Sequence, residues 1–126
     1  MPPYAKAFLL TAALGGLLAV LLGAFGAHAL KARLDPQAYA TYQTAVQYHF
    51  WHVLALGLVG LLLFNLPNST PLQWAGFCMI AGLLLFSGSL YVLTLTGIRG
   101  LGMVTPIGGA AWIVGWGLMA WAAVRV

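Results

Sequence analysis

Three histidines are the side chains of this sequence best suited to chemistry. His49 and His52 are three residues apart, a spacing that places both on one helix face, and His28 closes an earlier apolar run. Three imidazoles suit zinc, iron or copper, so His28, His49 and His52 form an alternative metal or haem site. Asp35 is the only other side chain nearby that metals favour, and we therefore expect no cofactor.

Catalysis by acidic side chains is restricted by the composition. Asp35 is the only acidic residue of the chain, so general acid-base catalysis by paired carboxylates is excluded by count. A serine nucleophile at Ser87 or Ser89 paired with His52 would lack the acid partner of a hydrolase triad. We therefore expect that the protein is not an enzyme.

The elements that must position these side chains are membrane-spanning helices. Of 126 residues, 63% are hydrophobic and 5% are charged, whereas soluble domains are about half apolar and a quarter charged. The predicted fold class is all-α: an integral membrane four-helix bundle with a short interfacial helix before the second span. The chain forms one transmembrane domain, 1–126, with spans at about 7–30, 48–66, 72–96 and 104–124.

The sequence predicts where the second long helix begins. Asp35 followed by Pro36 combines an N-cap acid with proline at the first helical position. A helix from Pro36 to Leu66 would be about 46 Å long, more than the roughly 30 Å of the hydrocarbon core. We therefore assign its first part, about 36–47, to the interfacial helix.

Most of the unusual polar residues fall at one membrane face. Alternating spans bring the end of the first helix, the start of the second, the end of the third and the start of the fourth together there. Polar groups at membrane depth need partners or water, which favours a polar pocket for a ligand; a purely structural hydrogen-bond cluster is the alternative. The candidate ligand-binding residues are His28, Gln47, His52, Ser87, Tyr91 and Thr105.

Small residues indicate where helices pack closely, as is usual in membranes. Gly15, Ala19, Gly23 and Ala27 repeat every four residues in the first span, and Gly109 and Gly117 lie in the fourth. These stripes fit packing within one chain, with a homo-oligomer as the alternative.

The positive charge indicates lipid partners. The net charge of +4 rests on five scattered cations, Lys6, Lys31, Arg33, Arg99 and Arg125. Nucleic acid would require a clustered basic patch, so no nucleic-acid partner is expected. All five lie between or outside the apolar runs, where anionic head groups of membrane lipids would meet them.

Four segments of the chain together resemble a known family. They are Gly23-Ala-Phe-Gly-Ala-His28, the stretch from Tyr42-Gln43 to His52-Val-Leu-Ala-Leu56, Phe86-Ser-Gly-Ser-Leu-Tyr91, and Val104-Thr-Pro-Ile-Gly-Gly109 with Gly115-Trp116. The chain is similar to the small inner-membrane proteins of domain-of-unknown-function family 423, with which the eukaryotic transmembrane protein 256 is grouped.

The resemblance implies a four-span protein of the bacterial inner (plasma) membrane with no agreed biochemical activity. It implies that His28 and His52 are the family's motif histidines, whereas His49 stands where relatives carry glutamine. Basic carboxyl-terminal tails in the family favour both termini in the cytoplasm.

These observations leave three functional hypotheses. The first is a non-enzymatic protein that binds a lipid, a small amphipathic ligand or an unidentified membrane partner's helix at the polar face. The alternatives are a small oligomeric transporter or channel, and a metal- or haem-binding redox protein.

Overall fold

A computed structural model describes residues 2–126, and within this range the chain is helical with no strand. Four helices are each long and apolar enough to cross a membrane. They are α1 (Pro3–Leu30), α2 (Pro36–Asn65), α3 (Thr70–Thr96) and α4 (Arg99–Val124). The predicted all-α fold class with four membrane helices is confirmed.

The second helix is the centre of the bundle. α1 packs mainly on α2, α4 packs mainly on α3, and α2 also contacts α3. The apolar core between them includes Phe8, Leu56, Leu63, Met79 and Trp112. One face of α1 remains uncovered by protein, with Leu10, Leu14, Leu17 and Leu21 at least half exposed. In a bilayer this face would meet lipid.

The start of α2 agrees with the sequence prediction. The carboxylate of Asp35 accepts a hydrogen bond from the backbone N–H of Ala38 at 2.7 Å, and Pro36 is the first helical residue. The segment 36–47 is the first part of α2 and continues into the span without a break, since no residue between Pro36 and Asn65 interrupts the helix. Tyr42 and Ala45 in this segment are fully buried against the other helices.

Two helices contain π-helical segments that the sequence analysis did not anticipate. α1 is α-helical from Pro3 to Phe25 and π-helical over Gly26–Leu30, and α3 is π-helical over Leu83–Gly88. π segments inside α-helices often occur at functional sites. Here the first lies at the end of α1, and the second lies in the middle of α3 and contains Ser87.

The connection from α3 to α4 is short. Gly97 ends α3 in the left-handed conformation, with φ of 76°, which glycine adopts without steric cost. A 3-10 turn over Arg99–Met103 then leads into the regular α-helix of α4, Thr105–Val124.

The small residues of α1 face α2 in three of the four predicted positions. A Cβ on Gly15 would lie 2.7 Å from Val53 Cγ1, and one on Gly23 would lie 3.4 Å from Val46 Cγ1. Ala19 is buried, whereas Ala27 is exposed and borders a groove between the two helices. The stripe therefore sets a close approach of α1 to α2.

Of the two glycines predicted to pack in α4, Gly117 makes no close contact within the chain, since a Cβ there would meet no atom within 4 Å. Gly109 is within ordinary van der Waals reach of the Phe86 ring, at 3.7 Å. The closest approaches are instead at Gly108, against the backbone of Leu85 and Phe86, and at Gly115, 3.1 Å from Met79 Cε. The spacing of small residues predicts only roughly which face of α4 packs on α3. The point where the two helices cross determines which glycine permits the close approach.

Candidate functional site: buried polar ties and an outer groove

His49 joins three helices at the centre of the bundle. Its Nε2 lies 2.9 Å from the carbonyl oxygen of Gly15 in α1, and its Nδ1 lies 2.8 Å from the hydroxyl of Tyr91 in α3. A carbonyl only accepts, so Nε2 carries the proton and donates. In the neutral imidazole, Nδ1 is then the acceptor, and the Tyr91 hydroxyl donates to it.

His52 lies one turn further along α2 and faces α4. The indole N–H of Trp116 donates to His52 Nε2 at 3.2 Å, and His52 Nδ1 lies 2.8 Å from the carbonyl oxygen of Tyr48. The indole only donates and the carbonyl only accepts, so His52 is neutral with its proton on Nδ1. Its ring stacks on Trp112 with a centroid distance of 3.7 Å and an interplanar angle of 8°. His49 and His52 are therefore opposite tautomers.

Two further hydroxyls on α2 and α3 bond carbonyls of neighbouring helices. The Tyr42 hydroxyl donates to the carbonyl of Leu22 in α1 at 2.6 Å, and the Ser87 hydroxyl donates to the carbonyl of Ala45 in α2 at 2.8 Å. Gly26 makes room for the Tyr42 ring, because a Cβ on Gly26 would collide with it. Ser87 lies in the π-helical segment of α3.

Hydrogen bonds also lie at the contact between α3 and α4. The Ser89 hydroxyl lies 2.9 Å from the carbonyl oxygen of Phe86 and 2.6 Å from the hydroxyl of Thr105, and either hydroxyl of this pair can be the donor. The indole of Trp112 donates to the carbonyl of Met79 at 3.1 Å. Within residues 2–126, every buried side-chain nitrogen and oxygen has a hydrogen-bond partner. The polar cluster is therefore fully satisfied by the protein itself.

The structure divides the six predicted ligand-binding residues into two groups. His52, Ser87, Tyr91 and Thr105 lie inside the bundle with polar atoms bonded to other protein groups. Two lie at the surface: His28 is exposed in the π-helical end of α1, and Gln47 is exposed on the outer side of α2.

The alternative three-histidine metal site is not assembled. In the part of the chain that the structure describes, no group of three His, Cys, Asp or Glu side chains could share a metal ion. His28 lies on the surface, while His49 and His52 point to different helices and use both ring nitrogens for other partners.

The roles of His49 and of two tryptophans were not predicted from the sequence. Trp112 and Trp116 are one turn apart on α4 and both reach His52. Their spacing on one helix face was visible in the sequence, and so was the spacing of His49 and His52. No local pattern shows that these two faces meet.

Two surface pockets lie one after the other along the seam between α1 and α2, and together we call them the outer groove. Its polar end, about 450 Å³, is bordered by Gly23 and Ala27 of α1 and by Tyr39, Tyr42, Gln43, Val46 and Gln47 of α2. Its apolar end, about 510 Å³, includes Leu9, Ala12 and Gly16 of α1 and Phe50, Leu54 and Leu61 of α2. Gly16 and Gly23 are two turns apart, as are Phe50 and Gln43, so the two ends share the same helix faces.

The fold and these features define a class: a small multi-pass α-helical membrane protein whose helices are joined by buried hydrogen bonds. The model of the family described as "Protein of unknown function (DUF423)" matches residues 22–109. The chain therefore belongs to the DUF423 family, as the motifs indicated.

Individual relatives agree with this assignment. The chain is 44% identical over 120 residues to the UPF0382 membrane protein YwdK of Bacillus subtilis, covering 95% of this chain and 98% of YwdK. It is 41% identical over 111 residues to UPF0382 membrane proteins of Staphylococcus aureus and Staphylococcus epidermidis, covering 88% of this chain and 89% of each relative. No solved structure matches the chain.

Proposed function

We propose that this protein is a non-enzymatic membrane protein that binds one amphipathic lipid molecule in the outer groove. The observation that carries the proposal is the groove itself, which changes from neutral polar side chains to purely apolar ones along a single seam. A lipid has the same order of polar and apolar parts.

The length of the apolar end of the groove suits one acyl chain. From Phe50 to Leu61, which line this end, α2 rises about 17 Å at roughly 1.5 Å per residue. This is about half of the roughly 30 Å hydrocarbon thickness of a bilayer, the depth of one leaflet. Small side chains on α1 leave room for the chain, since a Cβ on Gly16 would meet no atom within 4 Å.

The polar end of the groove suits an uncharged part of a lipid. No charged side chain borders this end, whereas Tyr39, Gln43 and Gln47 can each donate and accept hydrogen bonds. The amides of Gln43 and Gln47 are exposed and could bond ester carbonyls or hydroxyls. Of the six residues predicted from the sequence, Gln47 is the one that borders this groove.

A non-enzymatic role fits the chemistry of the interior. The chain has one acidic side chain, Asp35, and it caps the start of α2. The hydroxyls and imidazoles of the cluster are occupied by main-chain carbonyls and by each other. A nucleophile or base held in this way is poorly placed to meet a substrate.

The test is to fill the groove at Gly16. The full chain would be released from bilayers in mild detergent with a zwitterionic phospholipid, and retained lipid would be counted by native mass spectrometry. Gly16→Phe places a ring in the apolar end and should abolish retention of the one lipid that the unmodified protein keeps. Gly117→Phe is the matched control, because Gly117 is also a helical glycine whose Cβ would meet open space.

Retention that survives Gly16→Phe, or that falls equally in Gly117→Phe, would refute binding in the outer groove. Far-ultraviolet circular dichroism of both variants establishes that the helices are intact.

We further propose that the protein resides in the bacterial inner (plasma) membrane with both termini in the cytoplasm. Four spanning helices put both termini on one side, and the family resemblance favours the cytoplasm for that side. In a Cys78→Ala background, Asn68→Cys should resist a membrane-impermeant maleimide on intact spheroplasts, whereas Gly102→Cys should react. The reverse labelling pattern would show that both termini lie on the outer side of the membrane.

A further inference from the structure

A second groove lies at the membrane face formed by the α1–α2 and α3–α4 connections. It has a volume of about 460 Å³ and brings Arg33 from the first connection together with Arg99 from the second. The first turns of α2 and the end of α3 form its walls, with Thr41 and Thr94 among the residues there. Two cationic side chains that are remote in sequence therefore border one cavity.

The charge of this groove is positive. Arg33 and Arg99 are two of the five cations of the chain, and Asp35 is the one acidic side chain beside them. Oδ1 of Asp35 already accepts the bond from the backbone N–H of Ala38. The hydroxyls of Thr41 and Thr94 donate to carbonyls of their own helices, so the side chains that can donate to an anion are the two arginines and the neutral amide of Gln37.

The groove also offers apolar surface beside the charges. Leu34 and Leu93 are lining residues, and both are partly buried next to the exposed arginines. A guanidinium group binds phosphate oxygens with two parallel N–H bonds, which a point charge cannot do. A site at the ends of membrane helices, with arginines beside leucines, is complementary to a phospholipid head group and the first methylenes of its acyl chains.

We propose that Arg33 and Arg99 together bind the phosphate group of an anionic phospholipid at this face of the membrane. The site is separate from the outer groove, because Gln37 and Thr41 lie on one face of α2 while Tyr39 and Gln43 lie on the opposite face. It therefore does not depend on the proposed function.

The experiment compares phosphatidylglycerol with phosphatidylcholine on the full chain. The protein is equilibrated in mixed micelles with equal amounts of the two lipids, and the ratio of the retained lipids is read by native mass spectrometry. Arg33→Gln with Arg99→Gln should lower the preference for phosphatidylglycerol roughly 10- to 30-fold, since each basic residue near an anionic head group contributes about fivefold.

The control is the double variant Lys6→Gln with Arg125→Gln, which removes the same charge at the opposite ends of the helices. Its preference should match that of the unmodified protein. An equal loss in both double variants would show general charge attraction and overturn the site, as would no loss in the arginine variant.

A third measurement distinguishes a phospholipid ligand from free phosphate. Inorganic phosphate is added at constant ionic strength, with chloride as the reference anion. Retention of phosphatidylglycerol that persists supports the lipid assignment, because the leucines favour the chain-bearing ligand. Displacement by millimolar phosphate would overturn that assignment in favour of a site for free phosphate.

Discussion

His49 Nε2 lies 2.9 Å from the carbonyl oxygen of Gly15, so a side chain of the central helix bonds the main chain of α1 at a position where the two helices approach closely. The approach requires glycine, because a Cβ at position 15 would lie 2.7 Å from Val53 Cγ1. The small-residue stripe and the buried histidine are thus parts of one contact.

The first prediction concerns the close approach at Gly15. Gly15→Ala should lower the free energy of unfolding by about 1 to 3 kcal/mol, since the β-branched Val53 cannot turn away without leaving its preferred rotamer. Gly16→Ala is the matched control, because the adjacent position faces the open groove. It should be neutral or slightly stabilising, as alanine favours helix by about 0.5 to 1 kcal/mol over glycine.

The measurement is unfolding by sodium dodecyl sulfate in mixed micelles, followed by circular dichroism. Equal stability of the two variants would mean that α1 does not depend on its contact with Val53.

The second prediction concerns the tautomers of the buried histidines. Nitrogen-15 NMR of the side chains at pH 8, where an ordinary imidazole is neutral, should show one Nε2–H ring for His49 and one Nδ1–H ring for His52. The reason is that the partner of His49 Nε2 can only accept and the indole at His52 Nε2 can only donate.

Single replacement of each histidine by asparagine assigns the two signals. His28 provides an internal reference, because it is exposed in the structure and should show the tautomer mixture of a solvated ring. Two identical tautomers at positions 49 and 52 would contradict the bonding pattern.

The third prediction concerns the bond between α2 and α3. Tyr91→Phe removes the hydroxyl that lies 2.8 Å from His49 Nδ1 and leaves that nitrogen without its donor. The expected loss of unfolding free energy is about 0.6 kcal/mol and at most about 1.7 kcal/mol, the range measured for hydrogen bonds between membrane helices.

Tyr39→Phe is the control for the loss of a phenolic oxygen, because Tyr39 borders the outer groove instead of the bundle interior. Its unfolding free energy should change by less than about 0.5 kcal/mol. The nitrogen-15 shift of His49 should move in Tyr91→Phe and stay in place in Tyr39→Phe; the opposite result would remove Tyr91 as the partner of His49.

Much of the architecture was predictable because its signals are local. The apolar content indicated four membrane helices, and the Asp35-Pro36 pair located the start of α2, since a cap involves groups within one turn. The gathering of polar residues at one face followed from alternating helix directions, which needs no knowledge of side-chain contacts. The continuity of α2 through 36–47 could also be predicted from the sequence, because no residue in this segment breaks a helix.

Only the tertiary structure determines which polar groups form hydrogen bonds with each other. Ser87, His49 and His52 each have hydrogen-bond partners on other helices, and no spacing within the sequence predicts those partners. The same holds for Gly115, which packs closely where Gly117 was expected to. Helical periodicity fixes the face on which a residue lies, but hydrogen bonds and close packing depend on atomic distances set by helix crossing, which sequence spacing does not contain.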